Sequence, residues 1–401
     1  MAEGGLTMNT KPQIIVIGGG AAGMTAAVFA AEQGASVTVL EQNEKTGRKL
    51  CVTGNGRCNL TNLNLYEGAY RGENPEFARG ILEQFTVKDT LEFFRRVGVP
   101  VTDKKGWLYP RSGQAKCVPE LLELKARSLR IKIKTREKAE NVFFKDGLWN
   151  VKTKGWTYQG NAVVLANGSK ASSVPGSDGS GYELARKLGH RIVTPLPALV
   201  ALKCRENGFS GWAGVRTEGK AALCIDGKQT RTETGELQLT ENGISGIPVF
   251  QLSRYALSAL AEGSKAELIL DFLPEYTEEE LRKLMDERKS QCPYQGESER
   301  LLGLFPDRLC KVLLKQKDLI KAIHSFRLEV TGSAGFGQAQ VCAGGVDTEE
   351  VSPVNLESRL HKGLYFAGEL LDIDGACGGY NLQWAWSSGA VAGIHSAKEC
   401  I

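Results

Sequence analysis

Residues 13–41, QIIVIGGGAAGMTAAVFAAEQGASVTVLE, constrain this chain more than any other stretch. The apolar run Ile14-Ile15-Val16-Ile17 reads as a buried parallel strand. It feeds directly into Gly18-Gly19-Gly20-Ala21-Ala22-Gly23, a G-x-G-x-x-G turn. An Ala-rich helix is expected from Met24 to Gln33, slim enough to lie close to a sheet. A second strand, Ser36 to Leu40, ends at Glu41. Gly18 permits the tight turn, Gly20 lets backbone approach a pyrophosphate, and Gly23 lets helix and strand pack closely. The helix N-terminus, with Ala21 and Ala22 in its first turn, offers unpaired N–H groups and a positive dipole end to phosphate. Glu41 stands 18 residues after Gly23, where an acid accepts hydrogen bonds from ribose hydroxyls. The bland alternative is a glycine-rich turn in an ordinary α/β domain. Strand, turn, helix, strand and acid in unbroken order favour a dinucleotide site.

At 401 residues the chain has room for two or three domains. Its 42% hydrophobic and 24% charged residues are those of a soluble globular protein. A net charge of +4 is too small to imply nucleic acid and does not exclude an anionic substrate. Ten cysteines are scattered singly with no C-x-x-C, which predicts reduced thiols and a cytoplasmic setting. No uncharged apolar run reaches about 18 residues, so no membrane span is expected. The four histidines lack metal-ligand spacing. Met8 offers an alternative start.

A polar loop follows Glu41 over residues 42–62, too rich in Gly and Asn for a helix and too long for a simple connection. Helical periodicity covers 75–98 with a break near Thr86-Val87, and Pro119 opens a further helix. Residues 131–165 alternate as a β-meander with a turn at Asp146-Gly147, ending in Val163-Val164-Leu165-Ala166-Asn167-Gly168. Composition then changes. Residues 196–247 read as hairpins with a turn at Asp226-Gly227; 248–262 and 277–290 read as helices, and one further helix is expected near 307–323. At 363–368 an apolar strand again meets glycine, and an Ala- and Ser-rich helix closes the chain over about 380–398. The expected architecture is α/β: a two-lobed Rossmann-type FAD-binding domain with a β-meander, carrying an inserted α+β domain. The expected boundaries are 1–193 and 340–401 for the first. The insert spans 194–339, β-barrel-like with a helical part near 274–323.

FAD and NAD sites share the first motif, so the remainder decides. A meander ending in a glycine turn, and a returning strand that ends in Gly368-Glu369, suit FAD lying extended, with Glu369 on ribityl or phosphate-linked groups. A solvated acid at a strand end is the alternative. Gly335-Phe336-Gly337 lacks the third glycine and the acid. No built-in NAD(P)H domain is therefore expected, and NAD(P)H would be a transient co-substrate.

Four segments make a more specific pattern: GRKLCVTGNGRCNLTN (47–62), VVLANGS (163–169), AQVCAGGV (339–346) and GLYFAGELLDIDGACGGYNLQWAWSSG (363–389). Together they resemble the BaiN/YhiN-like family of FAD-dependent oxidoreductases over nearly the whole chain. The resemblance implies non-covalent FAD held by Gly18, Gly20 and Gly23, by Glu41 and Gln42, and by Arg48, Lys49, Gly56 and Cys58 of the loop. It adds Ala166, Asn167 and Gly168, then Gly368, Glu369, Gly379, Asn381 and Leu382. This chain departs from the family at Asn55, Asn167 and Ser169, where Gly, Thr and Gly are usual, and at Ala376-Cys377, where Pro and Thr are usual. The first three are expected to keep FAD binding; the last pair bears on substrate.

Members of that family are linked to reduction of C=C bonds conjugated to carbonyls, in 3-oxo bile-acid intermediates or in uridine of ribosomal RNA, and one assignment is an amine oxidase. Such a reduction needs a donor that polarises the carbonyl and an acid that protonates the α carbon. Tyr380, in the G-G-Y-N turn, is the candidate acid; its alternative is an aromatic packed over FAD. Arg57 and Asn59 are candidate polarising groups, or else braces of their own loop. Cys58 and Cys377 read as small buried hydrophobes, and Asp372 and Asp374 as turn acids. His324 is a weak candidate for facing substrate. A small apolar substrate is favoured because the insert carries Leu196, Leu199, Phe209, Trp212 and Phe250 without an aromatic-interleaved basic run. Arg308, Lys311, Lys315, Lys317, Lys321 and Arg327 keep RNA open as an alternative. A flavin-bound sensor without catalysis is the other.

Overall fold

The computed structural model describes residues 11–174, 176–205 and 211–399. Met8 and Phe209 lie outside the described residues. The chain divides into two compact units, Met1–Pro195 with Val341–Ile401, and Leu196–Gln340.

The first unit is built on five parallel strands in the order Leu364–Phe366, Ala162–Leu165, Gln13–Ile17, Ser36–Glu41, Lys132–Thr135. The first strand of the chain lies at the centre, with Val16 opposite Val164 on one side and Val39 on the other. Ile14 to Ile17 are buried, as a strand covered on both faces must be. The helix Ala21–Glu32 starts three residues earlier than the periodicity suggests, because Gly20 in extended conformation already serves as its N-cap. The Lys132–Thr135 segment was expected in the meander. It instead forms the edge of the parallel sheet, as Ala162–Leu165 forms part of its interior. The antiparallel meander is the three strands Asn141–Lys145, Leu148–Lys152 and Thr157–Gly160. Asp146 and Gly147 take the positive φ values, +53° and +76°, that a two-residue hairpin turn requires.

The 19-residue helix Tyr380–Lys398 lies against Ala21–Glu32. Their contact is backbone to backbone. A Cβ on Gly389 would stand 2.4 Å from the Ala22 carbonyl oxygen, and one on Gly393 2.3 Å from that of Ala26. Trp384 and Trp386, fully buried, donate their indole N–H groups to the carbonyls of Gly368 (3.0 Å) and Leu60 (2.8 Å). The last helix thereby ties the returning strand to the 42–62 loop. That loop is more ordered than its composition suggests. It holds a 3₁₀ turn at Leu50–Val52, positive φ at Gly54, Asn55 and Cys58, and a short strand at Thr61–Asn62.

The second unit contains a closed barrel of six strands, in the order Leu202–Cys204, Gly243–Gly246, Lys228–Thr240, Arg216–Ile225, Ala266–Asp271, Phe326–Ser333. The helix Ile247–Ala261 packs on it. The single helix expected near 307–323 is two, Asp307–Leu313 and Leu319–His324. Asp318 separates them by accepting the backbone N–H of Lys321. Leu199 and Trp212 are buried core residues, and Leu196 and Phe250 are half-buried. Leu199 and Trp212 therefore stabilise the unit and give no support to an apolar substrate surface. Among the described residues, no helix is long and apolar enough to cross a membrane.

Two predictions test this packing. Gly389→Val should lower stability to urea by about 1–3 kcal/mol through overpacking, whereas Gly155→Ala, whose Cβ meets nothing within 4 Å, should leave it near wild type. Equal midpoints for the two variants would contradict the helix contact. The second concerns His190, whose buried ring lies 3.1 Å from Glu350 Oε2 through Nδ1 and 2.9 Å from Ser358 Oγ through Nε2. Ser358 Oγ accepts the N–H groups of Leu360 and His361, leaving its own proton for Nε2. The neutral ring, with its proton on Nδ1, satisfies every partner. Burial holds His190 below its ordinary pKa, with Glu350 opposing. The unfolded chain thus binds more protons, and stability rises with pH. The contribution is full above about pH 6.5, the unfolded value, and is lost as pH falls through the lower folded value. Urea midpoints at acid and neutral pH should converge more for His190→Gln than for wild type. An unchanged pH slope would contradict this.

Candidate functional site

The turn between the central strand and its helix is fixed by contacts that only glycine allows. Gly18, at φ +106°, donates its N–H to the Leu40 carbonyl at 2.8 Å. A Cβ there would stand 2.4 Å from the Ala166 carbonyl oxygen. A Cβ on Gly23 would stand 1.8 Å from the Gly18 carbonyl oxygen. Gly20 is the opposite case: a Cβ there meets nothing within 4 Å. Open space thus fronts a helix N-terminus with no side-chain cap and no acid in its first turn. Open space also lies beside Gly168, at the end of the neighbouring strand. Asn167 Oδ1, at that same strand end, is buried without a hydrogen-bond partner. Ala21 and Ala22 stand in the helix's first turn, and Ala166 donates its N–H to the Ile17 carbonyl at 2.9 Å.

Glu41 is buried at the end of its strand. Its Oε2 accepts the Gly19 N–H at 2.8 Å, and its Oε1 accepts both the backbone N–H and the side-chain amide of Asn43, at 2.8 and 2.7 Å. A carboxylate has about four acceptor positions, so capacity remains for a ribose hydroxyl. Gln42 donates to the Gly176 carbonyl, and exposed Arg48 reaches Asn43 Oδ1 at 3.3 Å.

The loop then runs away from this end. Gly47 donates to the Gly19 carbonyl at 2.8 Å. Lys49 Nζ lies 2.6 Å from Glu369 Oε2, and the Ser169 hydroxyl donates to the same oxygen at 2.9 Å. Gly368, at φ +75°, donates its N–H to Ser388. Residues 49, 169 and 369, distant in sequence, thus form one polar cluster. Beyond it the loop turns through Gly54, Asn55 and Gly56, and meets the 375–381 segment. Asn59 is committed there: its amide nitrogen donates to the carbonyls of Leu108 (3.1 Å) and Thr61 (3.0 Å), and its oxygen accepts the Gly379 N–H (3.2 Å). Asn381 clamps the backbone of Gly375 and Ala376 in the same way. Leu382 is half-buried in the first turn of the last helix.

Several chemical expectations change in consequence. Asn59 spends both ends of its amide on bracing and has none left to polarise a substrate. Tyr380 is nearly buried, and its hydroxyl donates to the Asn64 carbonyl at 2.6 Å. Its ring meets the edges of Tyr66 and Tyr70, and Tyr70 donates to its carbonyl. Burial pushes the Tyr380 phenol up to about 12. In this conformation Tyr380 is a clamp between the 64–70 segment and the last helix; its proton is already in use. The Arg57 side chain is exposed and makes no hydrogen bond among the described residues. Burial pushes the thiols of Cys58 and Cys377 up to about 12 and 11, so both stay protonated at neutral pH. Asp372 and Asp374 are deeply buried, unlike turn acids; Asp372 accepts the N–H groups of Gly344 and Glu73. His324 lies 3.0 Å from Asp271 in the second unit.

Three contributors escaped the sequence reading. Asn43 follows the strand-end acid by two residues, the spacing at which a carboxylate caps the next turn, and that signal was available. Ser169 was noticed only as a departure from the family pattern. Tyr109 sits on the strand Trp107–Pro110, whose alternation is too short to stand out.

The chain matches the family described as HI0933-like protein Rossmann domain over residues 12–395. It is 44% identical to the 3-dehydro-bile acid delta(4,6)-reductase of Clostridium scindens, over 96% of this chain and 99% of that one. It is 30% identical to the ribosomal RNA dihydrouridine synthase of Haemophilus influenzae, over 98% of this chain and 100% of that one. Among solved structures, a 3-ketosteroid delta1-dehydrogenase from Sterolibacterium denitrificans superposes with a TM-score of 0.52 at 13% identity, covering 96% of this chain and 99% of that one. A flavocytochrome c3 fumarate reductase superposes at 0.50 and 15% identity, covering 98% of this chain and 79% of that one. At such identities the likeness is one of fold alone.

The open cradle at Gly20, the uncapped helix and the unpartnered Asn167 oxygen fit an extended dinucleotide such as FAD. Glu41→Ala should weaken FAD binding by about 1.5–3 kcal/mol, the worth of a hydrogen bond to a charged group, read by titrating apoprotein with FAD. Unchanged affinity would contradict the role given to Glu41.

Proposed function

The chain belongs to the HI0933-like family of Rossmann-domain proteins, and from that membership we propose that it is an FAD-dependent oxidoreductase. We assign it the reduction of a carbonyl-conjugated C=C bond in a small apolar substrate of the 3-oxo steroid or bile-acid type. The observation that carries this reading is the dinucleotide cradle at Gly18–Gly23, joined through Lys49, Ser169 and Glu369 to the 53–59 and 375–381 turns. The 44% identity to a bile-acid reductase supports the substrate class. The first unit would hold the cofactor and the second would be the substrate domain.

Bound FAD, once reduced, would supply the hydride. This chain's residues do the remainder. The N–H groups of Gly20 to Ala22 receive the pyrophosphate, Glu41 takes a ribose hydroxyl, and the cluster of Lys49, Ser169 and Glu369 takes the ribityl chain. Asn59 and Asn381 hold the two turns around the reacting end. Arg57, whose side chain makes no hydrogen bond among the described residues, is the group we assign to the negative charge that develops on the conjugated oxygen. Binding of FAD is proposed as non-covalent. NAD(P)H is proposed as a visiting reductant, since no second strand-linked glycine motif is present. The nine described cysteines are free thiols, which supports a reducing, cytoplasmic setting.

The 30% identity to a ribosomal RNA dihydrouridine synthase favours a second reading, since uridine offers the same conjugated system. The basic residues that kept RNA open weigh less than their number suggests. Arg308 donates to the Ala213 carbonyl, Lys311 pairs with Asp307, and Arg327 with Glu267. Purified holoprotein, reduced anaerobically by NADH or NADPH, should be reoxidised by a 3-oxo-Δ4 steroid with ping-pong kinetics. Dihydrouridine formation in ribosomal RNA without enone consumption would move the assignment to the second reading. Fast amine oxidation with peroxide release would overturn both.

A further inference from the structure

We propose that Tyr109 is the catalytic proton donor to the α carbon of the substrate. The inference rests on the C=C reduction proposed above and names the acid that reaction needs.

Tyr109 lies on the strand Trp107–Pro110, paired antiparallel with Thr61–Asn62 on one side and Val101–Lys104 on the other. Side chains alternate across a strand, so Trp107 and Tyr109 share a face while Leu108 turns into the core. That shared face abuts both turns at the reacting end of the site. Trp107 Cζ2 would stand 3.1 Å from a Cβ on Gly378, and Tyr109 Cε1 would stand 3.7 Å from one on Gly54. Asn62, on the paired strand, donates to the Gly378 carbonyl at 2.9 Å. Asn59 fixes the same corner through Leu108, Thr61 and Gly379. The tyrosine is therefore set against a braced corner, a requirement for a group that must hold its aim.

Three tyrosines compete for the role, and their hydroxyls separate them. Tyr380 donates to Asn64, and Tyr70 donates to the Tyr380 carbonyl. The Tyr109 hydroxyl makes no hydrogen bond among the described residues, and its side chain is only half-buried. It keeps its proton for a ligand and keeps access to water. The charged and titratable groups that face it are Arg57 from the loop, Cys377 from the returning segment and Lys104 from the neighbouring strand, whose ammonium lies 5.6 Å from the ring centre. Burial raises its pKa, and Arg57 draws it back. The phenol is protonated at neutral pH, as a donor must be.

Reduced FAD, when bound, would supply the hydride for a new C–H bond at the β carbon, and the C=C electron pair would pass to the α carbon and conjugated oxygen. The Tyr109 O–H bond breaks, and its proton forms the C–H bond at the α carbon. The phenolate recovers a proton from water. The substrate would gain two hydrogens, with bound FAD as the two-electron reductant.

Tyr109→Phe in the holoprotein tests this. Oxidation of reduced flavin by a 3-oxo-Δ4 steroid should slow by about 10²–10⁴, the range for loss of a general acid. Flavin reduction by NAD(P)H, FAD retention and melting temperature should stay at wild-type values. In wild type the enone step should also fall at high pH as Tyr109 ionises, and the variant should lack that limb. An independent reading comes from ultraviolet titration of phenolate: Arg57→Gln, at an exposed position, should move one tyrosine ionisation upward, and that ionisation should vanish in Tyr109→Phe. An enone step unchanged in Tyr109→Phe, or both half-reactions slowed equally, would overturn the proposal. Absence of enone reduction in wild type itself would instead overturn the reading on which it rests, and this one with it.

Discussion

The nucleotide unit depends on one backbone contact, Gly23 against the carbonyl of Gly18. Any side chain there would stand inside van der Waals distance. Without that approach the helix could not start at the strand end, and its N–H groups would not face the open space at Gly20. The same economy of volume continues outward. Ala-rich Ala21–Glu32 receives Gly389 and Gly393 of the last helix, so two helices lie in backbone contact over the sheet. This explains why the first helix is apolar on nearly every side: it is covered by the sheet on one face and by the last helix on the other. It also explains how residues near position 380 come to serve a site begun near position 18.

Buried polar groups then aim the pieces. Gln383 sits between Thr61, Thr90 and Ser387, and Ser387 donates to the Phe85 carbonyl. Asp372 holds backbone from residues 73 and 344. An unsatisfied buried polar group costs about 1–3 kcal/mol, so each alternative placement of these segments strands several such groups. The network selects one arrangement of the 53–62 loop, the 107–110 strand and the 375–381 turn. The reduction proposed for this site would need that selection more than added stability, because hydride and proton would have to arrive at adjacent carbons from fixed directions.

What was legible in the sequence was short-range. The strand-turn-helix at 13–33 carries its own periodicity and its own glycines, and the hairpin turns at Asp146-Gly147 and Asp226-Gly227 carry theirs. Alternation alone did not separate Lys132–Thr135 from the meander beside it, because an edge strand of a parallel sheet and a half-covered antiparallel strand look alike. A capping Asp318 in the middle of apolar periodicity hid a break between two helices. The roles of Asn59 and Tyr380 were illegible for a different reason. Both belong to residue types that do chemistry or bracing equally well. What decides between the two is a partner far away in sequence, Gly379 for one and Asn64 for the other. The polar cluster of Lys49, Ser169 and Glu369 joins three segments separated by more than a hundred residues, and no spacing rule anticipates it.

The proposed function requires this scaffold to aim reduced flavin at a conjugated C=C bond. The most direct measurement is a single turnover free of nicotinamide: holoprotein photoreduced under anaerobic conditions, mixed with a 3-oxo-Δ4 steroid in deuterated water, with product analysed by mass spectrometry. The account predicts one equivalent of saturated product per reduced flavin, with solvent deuterium at the α carbon. Flavin that stays reduced in the presence of every enone tried, yet is reoxidised by another class of acceptor, would contradict it.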